Sequence, residues 1–151
     1  WGIVSGPEAA LGEYFETIKR LMRARLCANH PFQYAVAPCL LGAQSHLPQL
    51  IEKLQRRRDC CMRWIDRIDG LSCAVPDGSF YAFVRVEGVK DDMAWCRALL
   101  ESKGVVVVPG SGFGYREAEA GYFRIVFLPQ EDVLEEAFSK IGEFMREYRA
   151  E

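Results

Sequence analysis

The spacing of apolar residues changes at Asp69-Gly70, and this change leaves few architectures open to the chain. Before this point, apolar residues recur every three or four positions over about 11–22 and 45–68, which predicts two amphipathic helices, and a more apolar helix is predicted over 32–41. After it, short β-branched and aromatic runs alternate with helical patterns. The sequence therefore predicts an α/β fold, an α+β layer in which a small, mostly antiparallel sheet packs with helices.

The first part of the chain is predicted to contain a short strand and three helices. Trp1–Val4 is β-branched and stops at a Gly-Pro turn, which is typical of a strand. The helix over 32–41 has almost no charge, which predicts burial on most of its sides. Ser45 is the predicted N-cap of the third helix. The basic residues of that helix, Arg57 among them, are interpreted as a solvated face.

Four strands are predicted after Gly70. Leu71–Val75 and Phe80–Val86 are joined by a Pro-Asp-Gly turn, which predicts a strand pair. Val105–Val108 consists entirely of β-branched residues and is predicted to be a strand covered on both faces. Tyr122–Phe127 completes the set.

Two helices are predicted to separate and follow these strands. Asp91 is the predicted cap of the first, which Gly104 ends, and the second carboxylate, Asp92, is explained by capping and solvation. A last helix opens at Glu131 with one apolar face. The first of the two helices is expected to bury four side chains: Met93, Cys96, Leu99 and Leu100.

Composition and charge argue against several classes of partner. The 151 residues carry 19 basic and 21 acidic side chains, so the chain has no general attraction for nucleic acid or anionic lipid. No apolar run approaches the ~18 residues that cross a bilayer, so no membrane partner is expected. The six cysteines lack C-x-x-C spacing, which predicts no metal site and a reducing, cytoplasmic setting.

A glycine-rich loop at 109–114 is the first candidate site. Its glycines follow the spacing G-x-G-x-G, which differs from both the dinucleotide-binding and the P-loop patterns. Two interpretations stay open at this point. The loop is either a tight connection between strands, or backbone left bare so that a ligand can approach closely.

Arg124 is the second candidate, because it interrupts an otherwise apolar strand. Burying a guanidinium without a partner is costly, so an internal salt bridge or exposure at the strand end is one interpretation. The other is a bidentate seat for a ligand carboxylate, which suits the planar group. His30 and His46 have no cysteine or serine partner and are interpreted as structural.

Three motifs occur in a fixed order along the second part of the chain. Residues 76–81 read PDGSFY, residues 107–114 read VVPGSGFG, and residues 121–125 read GYFRI. In order and spacing they resemble the C-terminal part of fold-type I, pyridoxal-phosphate-dependent aminotransferases of class I/II. Residues 26–33, LCANHPFQ, are similar to the alanine- and aspartate-aminotransferase-like branches of that family.

The resemblance implies roles for particular residues. Arg124 would bind the α-carboxylate of an amino acid. Ser111, Gly112 and Phe113 would form a loop beside the substrate entrance, and Asn29 would belong to a segment that reaches the dimer interface and the neighbouring active site. The implied reaction is amino transfer between an amino acid and a 2-oxo acid, with pyridoxal 5'-phosphate as cofactor, in a homodimer.

The resemblance also implies a domain organisation. Residues 1–42 would end the large cofactor-binding domain, 43–70 would form a long connecting helix, and 71–151 would form the small C-terminal domain. The strand and helices that precede the small sheet are thus expected to belong to the large domain.

The lysines set a limit on what this chain is expected to do. None of them lies in the family's S-x-S/T-K context, so we expect no Schiff-base lysine, no other catalytic residue and no cofactor-binding residue within the chain. We therefore expect the C-terminal segment of a longer enzyme, inactive by itself. The alternative is a free-standing α/β binding or regulatory module in which Arg124 holds a small carboxylate.

Overall fold

A computed structural model describes residues 5–25, 27, 29–114 and 120–148. The chain separates into two compact units, Trp1–Ser45 and His46–Glu151. The strand predicted over residues 1–4 lies outside the described residues.

The smaller unit contains two helices, α1 over Glu8–Ala24 and α2 over His30–Leu41. The predicted burial of α2 is wrong, since none of its residues is buried, and Phe32 and Leu41 are 70% and 87% exposed. Apolar residues surround this helix on all sides, and one other described helix in the unit cannot cover them all.

The larger unit is built on a four-stranded sheet in the order β1-β2-β4-β3, in which every neighbouring pair is antiparallel. The strands are β1 over Leu71–Ser72, β2 over Tyr81–Glu87, β3 over Val108–Pro109 and β4 over Ala120–Val126. The predicted fold class, a small antiparallel sheet packed with helices, is confirmed.

The described residues of the larger unit also form three α-helices: α3 over Leu47–Ile65, α4 over Asp92–Lys103 and α5 over Glu131–Tyr148. They share one hydrophobic core with alternate residues of the sheet. The helices therefore cover one face of the sheet, and the other face carries the remaining side chains of the strands. The largest fully buried side chains of the core include Trp95, Phe123, Phe127 and Phe138.

Two expectations for α3 are wrong. Its N-cap is His46 rather than Ser45, and no side chain makes a capping hydrogen bond there. Arg57 is 8% exposed and not part of a solvated face. Its guanidinium donates to the carbonyl of Leu128, because the chain between β4 and α5 runs beside α3.

The ends of α4 match the prediction, and its buried face matches in part, since Cys96 and Leu99 are buried as expected. Asp91 caps the helix by accepting a hydrogen bond from the Ala94 backbone at 2.9 Å, and Gly104 ends it with φ 69°. Met93 and Leu100, however, are 49% and 45% exposed. The buried residues follow helical spacing from a different origin: Asp92, Trp95, Cys96 and Leu99.

The prediction of a doubly covered strand over Val105–Val108 is also wrong. Only Val108 of this run is in β3, which pairs with β4 alone at the edge of the sheet. Val106 is 75% exposed, because the helices lie on one face of the sheet and none of the described strands flanks β3 on its outer side.

The six cysteines are all free. Burial raises the pKa of the Cys61 and Cys96 thiols to about 12, so both stay protonated at neutral pH and act as apolar side chains. Within the described ranges, no group of three or more His, Cys, Asp or Glu side chains could hold a metal ion. None of the helices described is long and apolar enough to span a membrane.

Candidate functional site

The sheet face opposite the helices carries aromatic and basic side chains. Strand alternation places Tyr81 and Phe83 of β2 on this face, together with Tyr122 and Arg124 of β4. Phe83 and Tyr122 are stacked with ring centroids 5.2 Å apart. The next residue of β4, Ile125, is buried in the core. Arg124 therefore lies on the half-exposed side of its strand. A role in binding a ligand carboxylate requires such a position.

Arg124 is held against two aromatic rings. Its guanidinium carbon lies 4.1 Å from the ring centroid of Tyr81 and 4.6 Å from that of Phe113. Both are cation–π contacts, which restrict the side chain without neutralising its charge. Among the described residues, no carboxylate forms an ion pair with it. The described part of the chain therefore provides two aromatic rings around a positively charged group, and none of its carboxylates neutralises that charge. Such a group can bind an anion.

The turn that carries Phe113 is a single 3-10 turn over Gly110–Phe113, which follows β3 directly. A Cβ at position 110 would lie 2.4 Å from the Cβ of Tyr122, so only glycine allows the turn to approach the sheet this closely. A Cβ at Gly112 would meet no described atom within 4 Å. The tight-connection interpretation thus accounts for Gly110, while no contact among the described residues requires a glycine at position 112.

Asp92 joins this turn to α4. Its Oδ2 accepts a hydrogen bond from the Ser111 backbone at 2.9 Å, and its Oδ1 accepts one from the Ser111 hydroxyl at 2.6 Å. Asp92 is 8% exposed. Its interpretation as a solvated residue of a helix start is therefore wrong. The signal that could have found it is the second of two adjacent aspartates, since one suffices as a cap.

Two cavities lie beside the aromatic side chains of this sheet face. One, of about 380 Å³, opens beside Arg124 between the strand edge and α5. The other, of about 550 Å³, lies beside Phe83 and Tyr122. The first is lined mainly by aliphatic side chains, so Arg124 is its only cationic lining residue among those described. This cavity is the one that a small carboxylate with an apolar remainder would suit.

Four of the sequence-predicted site residues come together here, namely Arg124 and the consecutive turn residues Ser111, Gly112 and Phe113. Arg124 contacts Phe113, and Ser111 lies two residues earlier in the same turn. Asn29 belongs to the smaller unit, where it is the exposed N-cap residue of α2 and makes no capping hydrogen bond through its side chain.

The family of the chain follows from comparison with known proteins. The family model described as aminotransferase class I and II matches residues 1–141. This chain belongs to the class I and II aminotransferases. The resemblance inferred from three motifs is confirmed.

Relatives of this aminotransferase chain carry names from two branches of the family. It is 33% identical to a glutamate-pyruvate aminotransferase, AlaA, of Haemophilus influenzae, over 99% of this chain and 38% of that protein. It is 38% identical to an aspartate aminotransferase of Rhizobium meliloti, over 80% of this chain and 31% of that protein. The chain thus spans well under half the length of these relatives.

Solved aminotransferase structures share the fold. An alanine aminotransferase from Pyrococcus furiosus superposes with a TM-score of 0.79 at 40% identity, covering 93% of this chain and 36% of that chain. An aromatic aminotransferase from Pyrococcus horikoshii gives a TM-score of 0.72 at 28% identity, covering 87% and 35%.

Proposed function

We propose that the protein carrying these residues is a pyridoxal-phosphate-dependent aminotransferase that moves an amino group between an amino acid and a 2-oxo acid. This chain belongs to the aminotransferase family, and the observation that carries the proposal is the position of its Arg124. It lies on the half-exposed sheet face, against Tyr81 and Phe113 and beside an apolar cavity.

In this proposal Arg124 binds the α-carboxylate of the substrate. A planar guanidinium offers paired N–H donors to both oxygens of a carboxylate, which fixes the orientation of the ligand as well as holding it. Ser111, Gly112 and Phe113 then form the loop beside the bound substrate, and Asn29 serves the dimer interface and the neighbouring site.

The lysines of this chain do not fit a cofactor site. Lys19, Lys103 and Lys140 each pair with a glutamate at 2.7 Å on a helix surface. Lys53 and Lys90 are exposed, and no lysine lines the cavity beside Arg124. Pyridoxal 5'-phosphate supplies the electron sink for amino transfer. We infer that residues outside these 151 hold it, and that the contribution of this chain is to bind and orient the substrate carboxylate.

Labelling of the lysines tests this division of roles. The 151-residue chain, mixed with pyridoxal 5'-phosphate and reduced with borohydride, is expected to show no stoichiometric modification of any single lysine by peptide mapping. The reason is that no lysine of this chain lines the cavity beside Arg124, so no single lysine should react in preference to the others. Full-length enzyme treated in the same way is the positive control. Complete labelling of one residue, such as Lys103, would contradict the proposal.

We also infer the domain assignment and the assembly. Residues 1–42 would end the large domain, 43–70 would connect, and 71–151 would form the small domain, within a homodimer. Exposed apolar side chains in the smaller unit support an association surface there. They include Phe15 at 44%, Leu21 at 69% and Phe32 at 70% exposed. The six free cysteines support a reducing, cytoplasmic setting.

Self-association of the chain is the expected consequence. Light scattering at rising concentration should show a mass above that of the monomer, because burying these apolar side chains removes them from water. The double variant Leu21→Asp/Phe32→Asp should shift the mass towards the monomer. Val106→Asp changes an equally exposed apolar residue of the larger unit and should leave the mass unchanged. A wild-type chain that stays monomeric at millimolar concentration would argue against the surface.

A transamination screen of the full-length protein tests the activity itself. Several amino donors, including alanine, aspartate and glutamate, are offered with a 2-oxo acid, and the new amino acid is measured. Turnover of any pair supports the proposal. Carboxylate binding without turnover of any donor would instead favour the free-standing binding module.

A further inference from the structure

We propose that Asp92 is a positioning residue for Arg124. Asp92 binds Ser111 and thereby fixes the Gly110–Phe113 turn. The fixed turn holds the Phe113 ring against the guanidinium of Arg124. The inference rests on the proposed function, because it concerns the same carboxylate seat.

Asp92 is a rigid anchor point. It is the first residue of α4, where the positive end of the helix dipole stabilises a carboxylate. The same helix is fixed in the core by Trp95 and Leu99, which are 1% and 0% exposed. Gly121 leaves room for it, since a Cβ there would lie 3.1 Å from the Cβ of Asp92. The backbone that carries the carboxylate is therefore fixed against the core.

The turn is held from two sides. Asp92 accepts two hydrogen bonds from Ser111, one from its backbone and one from its hydroxyl, and bonds to a charged acceptor are the strong kind. On the other side, Gly110 lies directly against Tyr122 and Phe83. Phe113 follows Ser111 by two residues, and its ring meets the edge of Phe83 at 6.2 Å. These contacts determine where the Phe113 ring lies.

The position of that ring decides how much freedom Arg124 keeps. A long side chain loses conformational entropy when it binds a ligand. A side chain that is already confined before binding loses less of this entropy. Tyr81 belongs to the same sheet and stays in place, whereas Phe113 reaches Arg124 from a turn. Without the bonds from Asp92, the turn would move and the guanidinium would lose one of its two ring contacts.

The kinetic test uses the full-length enzyme. Asp92→Ala and Phe113→Leu are each expected to raise KM for the amino acid roughly 10-fold while kcat changes little, because looser binding affects ground and transition states alike. Asp91→Ala is the matched control: it removes the neighbouring carboxylate and the helix cap, but no contact to the turn. It should lower Tm and leave KM unchanged.

A double-mutant cycle separates positioning from a general structural effect. In the Arg124→Ala background, Asp92→Ala should cause no further loss in kcat/KM, since the group it positions is gone. A full additional loss would show that Asp92 acts elsewhere and would overturn the inference. No loss from Arg124→Ala itself would instead overturn the proposed function.

A second readout does not depend on activity. In NMR spectra of the 151-residue chain, the Arg124 side-chain protons should lie upfield because they sit over two aromatic rings. Asp92→Ala should move them downfield in the same direction as Phe113→Leu, and Asp91→Ala should not. Ser111→Ala repeats the test with a smaller change if Asp92→Ala fails to fold. Unchanged Arg124 signals in Asp92→Ala or Ser111→Ala would overturn the inference.

Discussion

Replacing Arg124 with alanine in the full-length enzyme is expected to lower kcat/KM for amino acid substrates by at least about 100-fold. Removing one partner of a buried, hydrogen-bonded charge pair costs ~2–5 kcal/mol. The substrate carboxylate would be the partner left unpaired, beside a cavity whose walls are otherwise mainly aliphatic. Steady-state kinetics with a saturating 2-oxo acid measure the loss.

Two further variants and a melting curve identify its cause. Arg124→Lys keeps the charge and loses the planar fork, so most of the loss should persist. Arg85→Ala removes a positive charge from the same sheet face at a position that does not line the cavity beside Arg124. It should leave kcat/KM near the wild-type value. Thermal stability should change little in Arg124→Ala. A lower Tm with nearly normal kinetics would instead assign Arg124 a structural role.

The largest effect on stability is expected from Trp95→Ala, at about 3–5 kcal/mol of unfolding free energy. The Trp95 side chain is 1% exposed and stacks on Phe123 with ring centroids 5.0 Å apart. It also meets Phe144 of α5 edge-on at 5.4 Å, so it joins the sheet, α4 and α5. Urea unfolding of the 151-residue chain, followed by circular dichroism, measures the change.

Trp95→Phe is the control for this substitution. It keeps a ring between Phe123 and Phe144 and removes the indole N–H, which has no hydrogen-bond partner among the described residues. Because a buried unsatisfied donor is itself unfavourable, the loss should be less than half of that for alanine. A Trp95→Ala midpoint close to the wild-type value would show that this core rearranges to fill the space.

Helices and strands in which apolar residues repeat at regular spacing could be predicted from the sequence. Which faces of each element are buried by its neighbours could not. The alternation of β2 and β4 and both ends of α4 follow from local patterns, including the cap at Asp91. The run Val105–Val108 is equally apolar whether a strand is central or at an edge, because strand order depends on distant pairing. For the same reason, the helical period of α4 indicates a buried face but not which residues at its borders, such as Met93 and Leu100, are covered.

The site shows the same limit. Arg124 could be singled out because a charge in an apolar strand requires an explanation wherever the strand lies. The role of Asp92 could not be predicted, because Asp91 already accounts for one carboxylate at the helix start, and a second adjacent aspartate indicates a partner without identifying it. The partner of Asp92 is Ser111, 19 residues further along the chain, and only the folded chain brings the two together.

The short edge strand β3 also bears on the solubility of the protein. Four consecutive valines beside an open sheet edge have the composition of segments that recruit strands from other chains. Here the strand ends after two residues, and the second of them is Pro109, which has no N–H to donate. A strand of two residues with a single backbone N–H offers little for another molecule to pair with, so the shortness of β3 and its proline limit extension of the sheet at this edge.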